Sequence, residues 1–243
     1  MTRDLLARLL ALQAAGKAFV VATDTETGAS ALILDRNGET QETSGDFVPA
    51  EAVREAATRA LALEAPALVE DESRAFFLDV HVPPARLIVV GAVHIAEPLT
   101  TIADMAGYRV VVVDPRRGFA GRGRLPAAEI LTDWPDEGLA SLAPDARTAI
   151  VTLTHDPKLD DAALAVALAS PAFYIGCLGS RKTHAARLAR LAAAGFAESD
   201  LARLRGPVGL AIGARTPAEI AIAIAAEITQ VRRLDTVAGA AVR

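Results

Sequence analysis

Arg86-Leu-Ile-Val-Val-Gly-Ala-Val-His-Ile-Ala96, answered by Val110-Val-Val-Val-Asp114, decides the fold. An apolar run of strand length is followed by a glycine turn into a helical pattern, and a second apolar run ends in a carboxylate. This is how a doubly wound nucleotide-binding sheet opens. Gly91 suits the tight turn and Ala96 the third small position. The middle position, where glycine normally lets backbone approach a pyrophosphate, holds Val93, whose β-branched side chain would collide with a dinucleotide in its usual pose. Asp114 lies at about the spacing from which an acidic residue reaches a ribose hydroxyl.

Working outward, strands and helices alternate from Arg86 onward, which predicts a parallel sheet with helical crossovers on both faces. Strands are expected at Leu87–Val90, Val110–Val113, near Ile130, Thr148–Leu153 and Ala172–Cys177. Helices are expected at Ile95–Ala106, Asp136–Leu142, Asp161–Ala169, Lys182–Ala194 and Pro217–Arg232. Thr216-Pro217-Ala218-Glu219 combines a capping hydroxyl, proline at the first helical position and a glutamate that completes a capping box. Residues 1–82 lack this rhythm and read as a small α+β domain. It has a helix near Leu5–Ala15, a strand near Ala18–Thr23, a hairpin turning at Asn37-Gly38, a helix over Pro49–Leu63 and a strand over Phe76–Val82. Pro83-Pro84 cannot sit inside a paired strand and marks the boundary. The expected layout is therefore 1–82, a Rossmann-like domain over 86–233, and a tail over 234–243.

Composition narrows the function classes. The 243 residues suffice for two small domains or one large one. A net charge of -5 argues against nucleic acid or an anionic membrane as the main partner. A single cysteine, Cys177, excludes an intrachain disulfide framework and a multi-cysteine zinc site, and a reducing cytoplasm is the expected location. Arg8 interrupts the apolar run Leu5–Leu12, which reads as an amphipathic helix rather than a signal peptide, and no stretch reaches the length of a membrane span.

Ligands of open parallel sheets bind beyond the carboxyl ends of the strands, so the residues there are the candidates. After the first strand, Gly91, Val93 and His94 stand at a helix start whose N–H groups favour an anion. After the second come Asp114, Arg116 and Arg117 in a glycine- and arginine-rich stretch, readable as phosphate contacts or as a solvated basic loop. Thr154, His155 and Asp156 follow the fourth strand, where Asp156 or Asp160 could equally cap the next helix. Gly179, Ser180 and Arg181 follow the fifth and suit an oxyanion cradle. Cys177, in an apolar strand, reads as a buried structural cysteine. His155 and Asp156 without a third ligand do not make a metal site. No serine nucleophile elbow or phosphate-binding Walker loop is present.

Three segments in order, Leu153-Thr-His-Asp-Pro-Lys-Leu-Asp160, Tyr174-Ile-Gly-Cys-Leu-Gly-Ser-Arg181 and Pro207-Val-Gly-Leu-Ala-Ile-Gly-Ala-Arg-Thr-Pro-Ala-Glu-Ile220, are followed by Ala226-Glu-Ile228. With Asp114, Arg116 or Arg117, and Arg124-Leu-Pro126, they resemble the xanthine dehydrogenase accessory (XdhC/CoxI) family over about Leu87–Val231. The resemblance implies a Rossmann-like domain in a cytoplasmic accessory protein. It implies binding of molybdenum cofactor (molybdopterin), its sulfuration, and its delivery to a molybdenum hydroxylase apoenzyme of the xanthine or carbon monoxide dehydrogenase type. It further implies a homodimer or a pair with a related protein, and a cysteine desulfurase as a possible partner. The chain departs from the family pattern at Val93, where glycine is usual, at Ala211, where aspartate is usual, and at Ala223, where serine is usual. The first 82 residues also lack the family's cysteine. The competing expectation is an oxidoreductase using NAD or NADP, and a third is a scaffold that keeps only partner contacts.

Overall fold

A computed structural model describes residues 2–36, 39–71, 74–116 and 124–241. The chain divides into two units, Met1–Pro83 together with Asp235–Arg243, and Pro84–Leu234. In the first, Thr2 caps α1 (Arg3–Ala14) by accepting the Leu5 N–H. β1 (Phe19–Asp24), β2 (Ser30–Arg36) and β3 (Glu39–Gly45) precede α2 (Glu51–Leu63), β4 (Ala67–Asp71) and β5 (Arg74–His81). They form one antiparallel sheet in the order β3-β2-β1-β5-β4. Alternation along the strands sends Val20, Ala22, Ile33, Phe76 and Leu78 onto α2, and Phe19, Val21 and Leu32 toward Leu5 of α1. The strands flanking Asn37-Gly38 pair as expected, while the turn itself lies outside the described residues. β4 has no counterpart among the expected strands. It is a short segment close behind α2, which Glu64 ends in a left-handed conformation, φ 50°.

The second unit carries β6 (Arg86–Val90), α3 (Ala96–Met105), β7 (Arg109–Val113), β8 (Glu129–Leu131), α4 (Pro135–Leu142), β9 (Thr148–Thr152) and α5 (Pro157–Ala169). β10 (Tyr174–Cys177), α6 (Arg181–Ala193), α7 (Glu198–Leu201), β11 (Leu204–Arg205) and the part of α8 (Pro217–Ala241) up to Leu234 complete it. Every strand pairing is parallel, and the order is β8-β7-β6-β9-β10-β11. In order of appearance this is the doubly wound arrangement, and its direction reverses between β6 and β9, where the crevice of such a sheet lies. Alternate residues face opposite sides. Leu87, Val89, Val112 and Val151 pack with Leu99 of α3 and Ile224 and Ile228 of α8, whereas Ile88, Val90, Ile150 and Ile175 pack with Leu139 of α4, Leu164 of α5 and Leu191 of α6.

Two helix limits differ from expectation by more than two residues. α5 starts at Pro157 rather than Asp161, because Asp156 accepts the Lys158 N–H as a cap and proline is well placed in a first turn. α8 continues past Arg232 to Ala241, so the described part of the expected tail is helical. No proline interrupts that stretch, and a lone glycine costs a helix only about 1 kcal/mol.

Candidate functional site

All six strands of the second unit run parallel, so the loops after β6, β7, β9 and β10 leave from one edge of the sheet. Gly91 ends β6 with φ 108°, a value glycine tolerates and other residues rarely adopt. A Cβ at Gly91 would lie 2.7 Å from the Thr154 Cγ2. The turns after β6 and β9, on either side of the topological switch point, are thus packed against each other. Val93 is half-buried and His94 exposed. The Ala96 N–H donates to the Val93 carbonyl at 2.9 Å, and Ile95 gives α3 no side-chain cap. α5 and α6, by contrast, are capped by Asp156 and Ser180.

Asp114 is fully buried at the end of β7. Its Oδ2 accepts the Ala92 N–H at 2.7 Å and Arg116 Nη2 at 2.8 Å, and its Oδ1 accepts the Arg116 N–H and Nε, each at 2.9 Å. Burial by itself would raise this carboxyl, but the Arg116 side chain and the Ala92 and Arg116 amides outweigh it and hold it below the usual carboxylate range. The carboxylate that would meet a ribose is therefore committed to holding the glycine turn and Arg116. Arg124 is also engaged, its Nε donating to Glu97 of α3 at 2.6 Å. Arg117 and the rest of the basic stretch to Gly123 lie outside the described residues.

Thr154 is buried and its hydroxyl donates to Asp160 Oδ1 at 2.5 Å, while the Asp156 N–H donates to the same hydroxyl at 3.3 Å. Asp160 Oδ2 accepts Arg187 Nη2 at 3.2 Å, and that nitrogen also donates to the Leu178 carbonyl at 3.0 Å. Burial pushes the Asp160 carboxyl above its ordinary value against the pull of Thr154 and Arg187. His155 and Asp156 are exposed beside this cluster. After β10, Ser180 accepts the Thr183 N–H at 3.1 Å, with Ser180 and Arg181 exposed and Gly179 half-buried. Cys177 is buried, and burial pushes its thiol up to about 11.

Gly91, Asp114 and Thr154 are therefore interior groups just beyond β6, β7 and β9, while His94, His155, Asp156, Ser180 and Arg181 are exposed on the loops and helix starts that follow β6, β9 and β10. Sequence reasoning missed Asp160 and Arg187 as site residues. Their signal is faint: Arg187 shares a helical face with the buried Leu191, four residues on. Among the described residues, no group of three His, Cys, Asp or Glu side chains could hold a metal, and no helix is long and apolar enough to cross a membrane.

A family model described as the XdhC Rossmann domain matches residues 87–228. A protein of Escherichia coli K12 known as uncharacterized protein YqeB is 35% identical over 156 residues, 64% of this chain and 29% of its own length. A Bacillus subtilis protein known as a probable xanthine dehydrogenase subunit is 32% identical over 67% of this chain and 48% of its own. The molybdenum cofactor insertion chaperone PaoD of Escherichia coli K12 is 29% identical over 62% of this chain and 41% of its own. The chain thus spans less than half the length of these curated relatives. The crystal structure of a xanthine dehydrogenase from Bacillus halodurans superposes with a TM-score of 0.77 at 27% identity, covering 98% of this chain and 69% of the other.

Proposed function

Since the chain belongs to the XdhC family, we propose that it is a cytoplasmic accessory factor that takes molybdenum cofactor as cargo in the crevice between the β6 and β9 turns and passes it to a molybdenum hydroxylase. The observation that carries this reading is the state of Asp114. Its four hydrogen bonds leave no free carboxylate for a ribose, while α3 beside it starts without a side-chain cap. An uncapped helix start favours a phosphate, the charge of Glu97 in its first turn being paired with Arg124, and Val93 disfavours the pyrophosphate of a dinucleotide. The same two features weigh against the NAD(P) oxidoreductase.

In this scheme the phosphate of the cargo meets the amides of Val93–Ile95 in the turn ahead of α3 and, across the rim, those of Gly179–Arg181 and the Arg181 side chain. In the same reading His155 and Asp156, exposed at the β9 turn, contact the pterin, and Thr154 fixes that turn from beneath. The buried Cys177 is a poor carrier of sulfur, and it is the chain's single cysteine. Sulfuration in this scheme takes its thiol from outside these 243 residues, for example from a cysteine desulfurase or a related accessory protein.

Isothermal titration of the purified protein with cofactor released from a molybdenum hydroxylase is expected to show saturable binding. Absence of heat both with and without a partner apoenzyme rejects the reading. Arg181→Ala removes one exposed charged donor and is expected to weaken binding about 5-fold, equivalent to ~1 kcal/mol. Unchanged affinity would assign the turn after β10 a structural role alone.

A further inference from the structure

Arg187 is a cation in the interior, with a side chain 2% exposed, on the second turn of α6. Helical side chains lean toward their own N-terminus, and α6 starts at the carboxyl edge of the sheet, so Arg187 reaches up toward the rim from below. One nitrogen, Nη2, makes both of its hydrogen bonds, to Asp160 in the first turn of α5 and to the Leu178 carbonyl just after β10. Nε and Nη1 have no hydrogen-bond partner among the described residues. A buried guanidinium so incompletely satisfied adds little to stability, and a positional role accounts for its presence better. The links continue outward. Asp160 holds the Thr154 hydroxyl, which fixes the Thr154 rotamer, and the Thr154 methyl occupies the space beside Gly91. From there the Gly91 N–H donates to the Val113 carbonyl and the Ala92 N–H to Asp114.

We propose that Arg187 is a positioning residue: acting through Asp160 and Thr154, it sets the Gly91 turn and hence the direction of the amides at the start of α3. The effect on ligand rests on the cofactor reading above; the effect on the turn does not.

Two measurements on the full chain separate these. Amide hydrogen exchange is compared in wild type, Arg187→Met, Arg187→Lys and Thr154→Val. Both Arg187→Met and Thr154→Val are expected to speed exchange at the bonded amides of Gly91, Ala92 and Ala96 by about 10-fold or more, with the amides of β9 and β10 far less affected, and Arg187→Lys to recover most of the protection because it keeps a cation on Asp160. Wild-type exchange at Gly91, Ala92 and Ala96 in a folded Arg187→Met protein overturns the proposal. If that variant does not fold, Thr154→Val, which keeps the methyl bulk and loses only the hydroxyl, decides on the same criterion. Titration with released molybdenum cofactor is then expected to show about 10-fold weaker binding in Arg187→Met, and no further loss when Asp160→Asn is added. Wild-type affinity in both Arg187→Met and Thr154→Val overturns the ligand effect. Failure of the wild-type protein to bind rejects the cofactor reading instead and leaves the exchange result to judge the positioning.

Discussion

Gly91 illustrates how tightly the crevice is specified at single residues. Its φ of 108° is strained for any L side chain, and a Cβ would meet the Thr154 methyl at 2.7 Å and the Thr154 nitrogen at 3.3 Å. Gly91→Ala is expected to cost about 2–3 kcal/mol. Urea unfolding followed by the fluorescence of Trp134, the chain's single tryptophan, reads that loss in the second unit. Asp114 makes a second test through pH. Its folded value is depressed, so its contribution is complete above the unfolded value of about 3.9 and disappears as pH falls through the folded value. Asp114→Asn is expected to lower stability at neutral pH and to flatten the acid limb of the stability profile below about pH 4; an acid limb as steep as wild type would show that other carboxylates control it. Both residues are legible in the sequence, because the glycine turn and the strand-terminal acid follow a local spacing. What Asp114 binds is not legible there. Its partners lie two residues away on Arg116 and twenty-two residues away on Ala92, and the choice between them and a ribose is made by tertiary geometry.

At the scale of elements, helix starts differ in how their N–H groups are occupied. Thr216 and Glu219 close the expected capping box on α8: the Glu219 N–H donates to the Thr216 hydroxyl at 3.3 Å and the Thr216 N–H to the Glu219 carboxylate at 2.9 Å. Ser180 caps α6 in the same sense. Such caps are written locally and are readable. The start of α5 lies four residues ahead of its expected place because Pro157, which punctuates the sequence like a loop residue, takes the first helical position. Ser180→Ala is expected to lower stability by about 1 kcal/mol in the Trp134 unfolding assay. Because the Ser180 hydroxyl is committed to Thr183, the same substitution should leave cofactor affinity within about 2-fold of wild type. A larger loss of affinity with unchanged stability would move Ser180 from cap to ligand contact. Short strands are the least readable elements. β4, Ala67-Leu-Val-Glu-Asp71, groups its apolar residues at one end instead of alternating them, and the two-residue β11 exists through its pairing with β10.

Across the whole second unit, the alternation of strands and helices from Arg86 makes the parallel sheet readable, but not the order of its strands. That order depends on β9 pairing with β6, residues some sixty positions apart, and is carried by burial on both faces rather than by any local motif. Each strand delivers alternate residues to two apolar layers, one under α3 and α8, the other under α4, α5 and α6. The sheet separates the layers, so a cavity on one side has no shared neighbours with a cavity on the other. Leu164 of α5 and Ile224 of α8, both fully buried, probe them independently. Leu164→Ala and Ile224→Ala are each expected to cost about 2–5 kcal/mol. Their sum should match the double variant within about 0.5 kcal/mol, since the sites lie on opposite sides of the sheet. Trp134 fluorescence during urea unfolding reads all three. A double variant markedly more stable than the sum would mean that the sheet relaxes as one body around either cavity, and that a change in the helices beneath the crevice is felt at its rim.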